Sequence, residues 1–110
     1  MPHIVIFAKC PSHVAGKFVQ KSVEALQKNL FPDDESLQEA LVRSAWKISE
    51  DGIRFLSISN VKEGKLEESL KIIYKEMLYY SEIEGFESNV EVWGTWREGF
   101  EAMGMEPPSV

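Results

Sequence analysis

Strand-like runs of apolar and polar residues, Leu41 to Ile48 and Ile53 to Val61, flank Asp51-Gly52. An Asp-Gly pair between two such runs predicts a β-hairpin, because a type I′ turn needs φ > 0 at both central residues. With Asp51 and Gly52 as the turn, Glu50 pairs with Ile53, Ile48 faces Phe55, Trp46 faces Ser57, Ser44 faces Ser59 and Val42 faces Val61. Side chains alternate along a strand, so these facing pairs from Val42 to Ile48 and from Phe55 to Val61 share one side of the hairpin. Leu41, Arg43, Ala45, Lys47, Leu56, Ile58 and Asn60 take the other, and a one-residue slip would exchange the two sets.

The remaining elements arrange themselves around this hairpin. His3 to Cys10 is an almost continuous apolar run, as in a strand covered on both faces. Pro11-Ser12 ends it, and a helix follows over Val14 to Leu30, with Val19, Val23, Leu26 and Leu30 on one face. Phe31-Pro32 stops that helix. Leu37, Leu41, Ser44 and Ile48 also fall at helical spacing, so a helix over residues 35–48 competes with the first hairpin strand. Lys65 to Ile83 reads as a second amphipathic helix through Leu66, Leu70, Ile73, Met77 and Tyr80, widened by Tyr74 and Leu78. Val90 to Trp96 alternates as a half-buried strand, and Arg97 to Met103 reads as a short helix before a tail with Pro107-Pro108. The order strand, helix, strand, strand, helix, strand predicts an α+β chain with two helices on one face of a four-stranded antiparallel sheet. Right-handed crossovers then favour the ferredoxin-like βαββαβ arrangement.

At 110 residues the chain is one domain, 1–110, of a size at which oligomerisation often supplements the core. A net charge of −6 disfavours nucleic acid and anionic membrane surfaces as partners, since both need a basic face. Cys10 stands alone, so no intrachain disulfide forms, which fits a reducing cytoplasm. The opening residues lack the basic lead and small-residue cleavage site of a signal peptide, and no run is long enough for a transmembrane helix.

The run from His3 to Lys9, His-Ile-Val-Ile-Phe-Ala-Lys, resembles the first strand of the dimeric α/β-barrel superfamily, in which a histidine near the N-terminus often begins that strand. The hairpin, the amphipathic helix after it and the closing strand are similar too, so the resemblance spans His3 to Trp96. It implies a homodimer in which two sheets pack face to face, with the sheet side away from the helices lining an interior that often holds a small ligand. Some barrel relatives bind haem through a histidine on the second helix. No His lies between Lys65 and Ile83 here, so no haem and no other cofactor is expected.

On the helix side we place Ile4, Ile6, Ala8, Leu56, Ile58, Val90 and Val92. The opposite side then collects His3, Val5, Phe7, Lys9, Ser44, Trp46, Ile48, Phe55, Ser57, Ser59, Glu91, Trp93 and Thr95. A monomer would leave much of this mixed aromatic and hydroxyl surface bare, which marks an interface or a groove. Within it His3 is the candidate general base, with Glu91 as its partner if their strands are adjacent. Phe7, Ser44, Trp46, Phe55, Ser57, Ser59 and Trp93 are the candidate ligand-binding residues; the tryptophans would stack on a planar molecule or fill the dimer core. The serines call for water, ligand or strand partners, because a buried hydroxyl needs one. Cys10, His13 and His3 are metal-capable types without a recognised ligand spacing, so no metal site is assigned. The expectation is a cytoplasmic homodimer binding a small apolar or aromatic molecule, with cofactor-free catalysis by His3 as one form of it. A non-catalytic ligand sensor and a purely structural dimer with a filled interior are the alternatives.

Overall fold

The computed structural model describes residues 1–109; Val110, the last residue of the predicted domain, lies outside the described residues. Strand β1 spans His3–Cys10, and a 3-10 turn at Ser12–Val14 leads into α1, Ala15–Gln27. The hairpin follows as β2, Gln38–Ser49, and β3, Gly52–Val61. Helix α2 spans Leu66–Tyr80, β4 Glu87–Trp93 and α3 Trp96–Ala102. Residues 38–48 are strand, so the competing helical reading of 35–48 fails. The four strands form one antiparallel sheet in the order β2-β3-β1-β4, consistent with a ferredoxin-like arrangement. Among the described residues no helix is long and apolar enough to cross a membrane.

The hairpin turn lies one residue earlier than Asp51-Gly52. Ser49 pairs with Gly52, which leaves Glu50 and Asp51 as the two-residue loop. Asp51 is held there by local chemistry: its carboxylate accepts from the Ser49 hydroxyl at 2.8 Å, Arg54 at 2.7 Å and Lys9 at 3.4 Å. Gly52 alone of the turn residues takes positive φ, at 126°, because it passes against the end of β1. A Cβ on it would stand 2.3 Å from the Cys10 carbonyl oxygen. The register consequently moves by two: Ile48 faces Ile53 and Trp46 faces Phe55. A shift of two preserves alternation, so Trp46, Ile48 and Phe55 still share a side.

Alternation differs from expectation in the two hairpin strands, β2 and β3. The sides of β1 and β4 are as predicted, with Ile4 beside Val92 and Ile6 beside Val90 on the helix side, although β4 runs Glu87–Trp93 rather than Val90 to Trp96. In β3, however, Ser59 pairs with Ile4, Ser57 with Ile6 and Phe55 with Ala8, while Ile58 pairs with Val5 and Leu56 with Phe7. Phe55, Ser57 and Ser59 therefore belong to the helix side, and Leu56 and Ile58 to the outer one, the reverse of the sequence assignment. The reason is aromatic packing: Phe18 of α1 stacks on Phe55 at 4.3 Å and on Tyr80 of α2 at 4.8 Å, which pulls that face of β3 under the helices. Trp46 follows Phe55 to the helix side, at the edge of the sheet, where it is 66% exposed. Thr95 is not in the sheet at all; it caps α3, accepting from the Glu98 N–H while Glu98 accepts from its own N–H.

Two clusters make the core between sheet and helices. One joins Cys10, Val14, Tyr80 and Ile83 with Phe18, Ile53, Phe55 and Phe86; the other joins Ile4, Val61 and Ile73 with Ile6, Leu66, Leu70 and Val90. The predicted stripe of α2 is thus the one used, except that Tyr74 and Leu78, expected to widen it, are exposed. In α1 it is not: Val19, Val23, Leu26 and Leu30 are exposed, and the inward face runs Val14, Phe18, Ser22, Ala25. That set has the same helical spacing, and the large ring of Phe18 decides between them by burying more surface than any valine of the alternative stripe.

Candidate functional site

A cavity of about 460 Å³ opens between the helix side of the sheet, α1 and α2, within the range of small-molecule pockets. Ile6, Ala8, Phe55 and Ser57 form its floor, Phe18, Ser22 and Ala25 one wall, and Glu76, Met77 and Tyr80 the other. Phe31-Pro32-Asp33 and the β2 pair Arg43-Ser44 close the rim. The helix walls are tied together by polar contacts. The Tyr80 hydroxyl donates to Ser22 Oγ at 3.1 Å, and that hydroxyl donates to the Phe18 carbonyl at 3.0 Å. Alongside, the Tyr79 hydroxyl donates to the Lys21 carbonyl at 3.0 Å, and Lys21 Nζ sits 4.0 Å from the Tyr79 ring centre.

Ser44 reaches the rim because β2 is irregular. The pairing slips between Ala40 and Val42 and again between Val42 and Ala45, so two extra residues are accommodated as bulges. Ser44 takes φ 45°, and its N–H donates to Ser57 Oγ at 3.1 Å. The bulge also sends Arg43 towards Asp33, with which it forms an ion pair.

Glu76 is the chemically unusual group. It is half-buried in the cavity wall, and among the described residues no hydrogen bond or ion pair engages its carboxylate. Burial pushes its pKa above the ordinary carboxylate value, and the negative charge of Asp33 pushes it in the same direction. The Tyr80 phenol is also pushed up, again mainly by burial. A perturbed carboxyl in an aromatic-walled cavity is the combination that distinguishes binding and catalytic sites from ordinary surface.

The predicted site residues are divided between two faces. Ser44, Phe55 and Ser57 line the cavity, although on the helix side rather than the outer one. Ser59 is also on the helix side, opening into a small acidic cleft with Asp33, Asp34 and Glu39. Trp46 stands beside Phe55, outside the cavity. Phe7, Trp93, His3 and Glu91 remain on the outer face, where His3 pairs with Trp93 and Val5 with Glu91 across adjacent strands. His3 and Glu91 make no hydrogen bond to each other. The Glu91 oxygens accept from the Trp93 indole at 2.7 Å and from the Asn89 amide, and His3 Nδ1 is buried without a partner among the described residues. Cys10 is buried at the end of β1, its thiol pushed up by burial, and no three of the described His, Cys, Asp and Glu residues are grouped to hold a metal.

Sequence reasoning missed Glu76, Arg43, Asp33 and Phe18. Glu76 carries a legible signal: it falls three residues after Ile73 and four before Tyr80, which puts an acid on the flank of the buried stripe. Arg43 and Asp33 carry none, since a bulge and a loop bring them together. Compared with family models, with curated proteins and with solved structures, the chain matches none.

Proposed function

We propose that this chain is a small-molecule-binding protein whose ligand, with an apolar or aromatic body, lodges between the sheet and its helices, and that two copies associate through the outer sheet face. The observation that carries the reading is the cavity itself: aromatic walls from Phe18, Phe55 and Tyr80 with a few polar groups converging on the space between them. The dimer is supported by the apolar outer face, where Phe7 is 41% and Trp93 52% exposed around a buried Val5 and the half-buried Leu56 and Ile58. Four strands spaced about 4.8 Å apart, over the eight residues of β1, give a footprint of roughly 500 Å² per copy, about 1,000 Å² in total. That reaches the lower bound of a specific interface. The acidic charge and lone buried thiol suit a cytoplasmic protein. His3 lies on the opposite side of the sheet from the cavity, so the activity proposed is binding.

Saturation-transfer NMR with a panel of small aromatic compounds tests the binding. The native chain should give signals that Ser57→Phe, which fills the cavity floor, removes while the fold, followed by circular dichroism, persists. No signal from the native chain, or equal signals from both, refutes the cavity as the binding site. Sedimentation of the same samples reads the association, and a monomer at all concentrations refutes the sheet-face dimer.

A further inference from the structure

We propose that the ligand of this cavity carries a cationic amine, and that Glu76 is the group that holds it. The inference rests on the binding reading above and specifies its polar half. Asp33, Arg43 and Glu76 are the charged residues of the described lining. Arg43 is already paired with Asp33, so the guanidinium and one carboxylate cancel and Glu76 is left as the uncompensated charge. Glu76 is half-buried and has no protein partner, so an ammonium arriving with the ligand gains a charge-assisted hydrogen bond that no side chain of the described residues already makes. The rings of Phe18, Phe55 and Tyr80, stacked on one another at the border of the same space, give the ligand's body an apolar wall beside that carboxylate. An anionic head would meet the uncompensated Glu76, and the one guanidinium of the described lining is already shared with Asp33.

Burial, and after it the charge of Asp33, raises the pKa of Glu76, so its ionised form gains from a positive guest. A neutral donor would satisfy one oxygen of Glu76 without offsetting its charge, so an alcohol should bind less tightly than the amine of the same shape.

Isothermal titration calorimetry at neutral pH with 2-phenylethylamine, 2-phenylethanol and 3-phenylpropionate separates these cases. The native chain should bind the amine about tenfold or more tightly than the alcohol, as expected of a charge-assisted bond in a half-buried site, and the carboxylate least. Glu76→Gln, nearly isosteric, should bring the amine down to about the affinity of the alcohol and weaken the alcohol far less than the amine. An amine no tighter than the alcohol, or a preference that survives Glu76→Gln, overturns the assignment while leaving the cavity as a binding site. Binding of none of the three overturns both. Should Glu76→Gln fail to fold, the ranking of the three probes on the native chain decides alone.

Discussion

Replacing Phe18 and Leu26 by alanine, one at a time, weighs the two faces of α1 against each other. Phe18 stacks on Phe55 at 4.3 Å and Tyr80 at 4.8 Å, but one side of it borders the cavity and has no partner atoms to lose. Removing a core phenylalanine costs roughly 3–5 kcal/mol, so the bordering void places Phe18→Ala near the lower end, about 3 kcal/mol. Leu26 is 81% exposed. With only about a fifth of its surface to lose, a loss that would be roughly 2–5 kcal/mol for a buried leucine falls to about 0.5 kcal/mol. Urea unfolding followed by tryptophan fluorescence resolves this gap. At a slope of about 1–1.5 kcal/mol per molar, a difference of about 2.5 kcal/mol moves the midpoints apart by roughly 2 M. Both variants should be measured at two protein concentrations, so that any dimer contribution appears as a shared shift. Equal losses, or a larger one for Leu26→Ala, would show that α1 turns its Val19, Val23, Leu26 and Leu30 stripe inward and that the cavity as described does not exist.

Gly52→Ala should lower the melting temperature by about 10 °C or more, because the new Cβ would stand 2.3 Å from the Cys10 carbonyl in a backbone of φ 126°. A melting temperature within a few degrees of the native chain would refute the close approach of the hairpin to β1. Glu76→Gln tests the buried carboxyl without any ligand. Its pKa in the fold lies above its ordinary value of 4.5, so folding favours the protonated form. That contribution is fully present below the unfolded pKa and is lost as pH rises through the folded one. The variant should therefore match the native chain near about pH 4 and exceed it in stability at neutral pH. Urea unfolding at both values checks this, and a less stable variant at neutral pH would mean that Glu76 has a partner there.

Element order and the core face of α2 were legible because both rest on long, regular periodicity: Leu66, Leu70, Ile73, Met77 and Tyr80 admit one inward face and it is the one found. α1 offered two faces of equal spacing, and choosing between them required knowing that Phe18 meets Phe55, a contact between residues on different elements. The same contact fixed the side of β3. Within the hairpin, alternation ties Phe55 to Trp46 and Ile48, but nothing local says which side of β1 that set joins. Leu56 and Ile58 look like core residues as readily as Phe55 does. The turn was misplaced by one residue for a related reason. Asp-Gly satisfies a type I′ loop, yet Asp51 is worth more as an acceptor for Ser49, Arg54 and Lys9, and Gly52 is needed where β1 passes close.

The bulges in β2 explain why serines belong to this cavity. In a regular strand Arg43 and Ser44 would point to opposite sides, and only one could reach the space beneath α1. The slips on either side of Val42 break that rule. Ala40, facing Ser59, and Trp46, facing Phe55, both remain on the helix side, while Val42 joins Ile58 on the outer one. Two inserted residues therefore leave the flanking alternation intact and free the segment between to turn both Arg43 and Ser44 to the rim. The left-handed backbone at Ser44 costs on the order of 1–2 kcal/mol for a residue with a Cβ. Its N–H bond to Ser57 Oγ and the Arg43–Asp33 pair offset part of this, but a regular edge strand would need neither. Bulges also blunt an exposed edge against pairing with other chains, a use that accounts for irregularity in β2 but not for its position. Position is accounted for by the cavity: the irregular segment lies across from Ser57, where the floor meets the one guanidinium of the described lining, and that guanidinium pairs with Asp33 and not with Glu76.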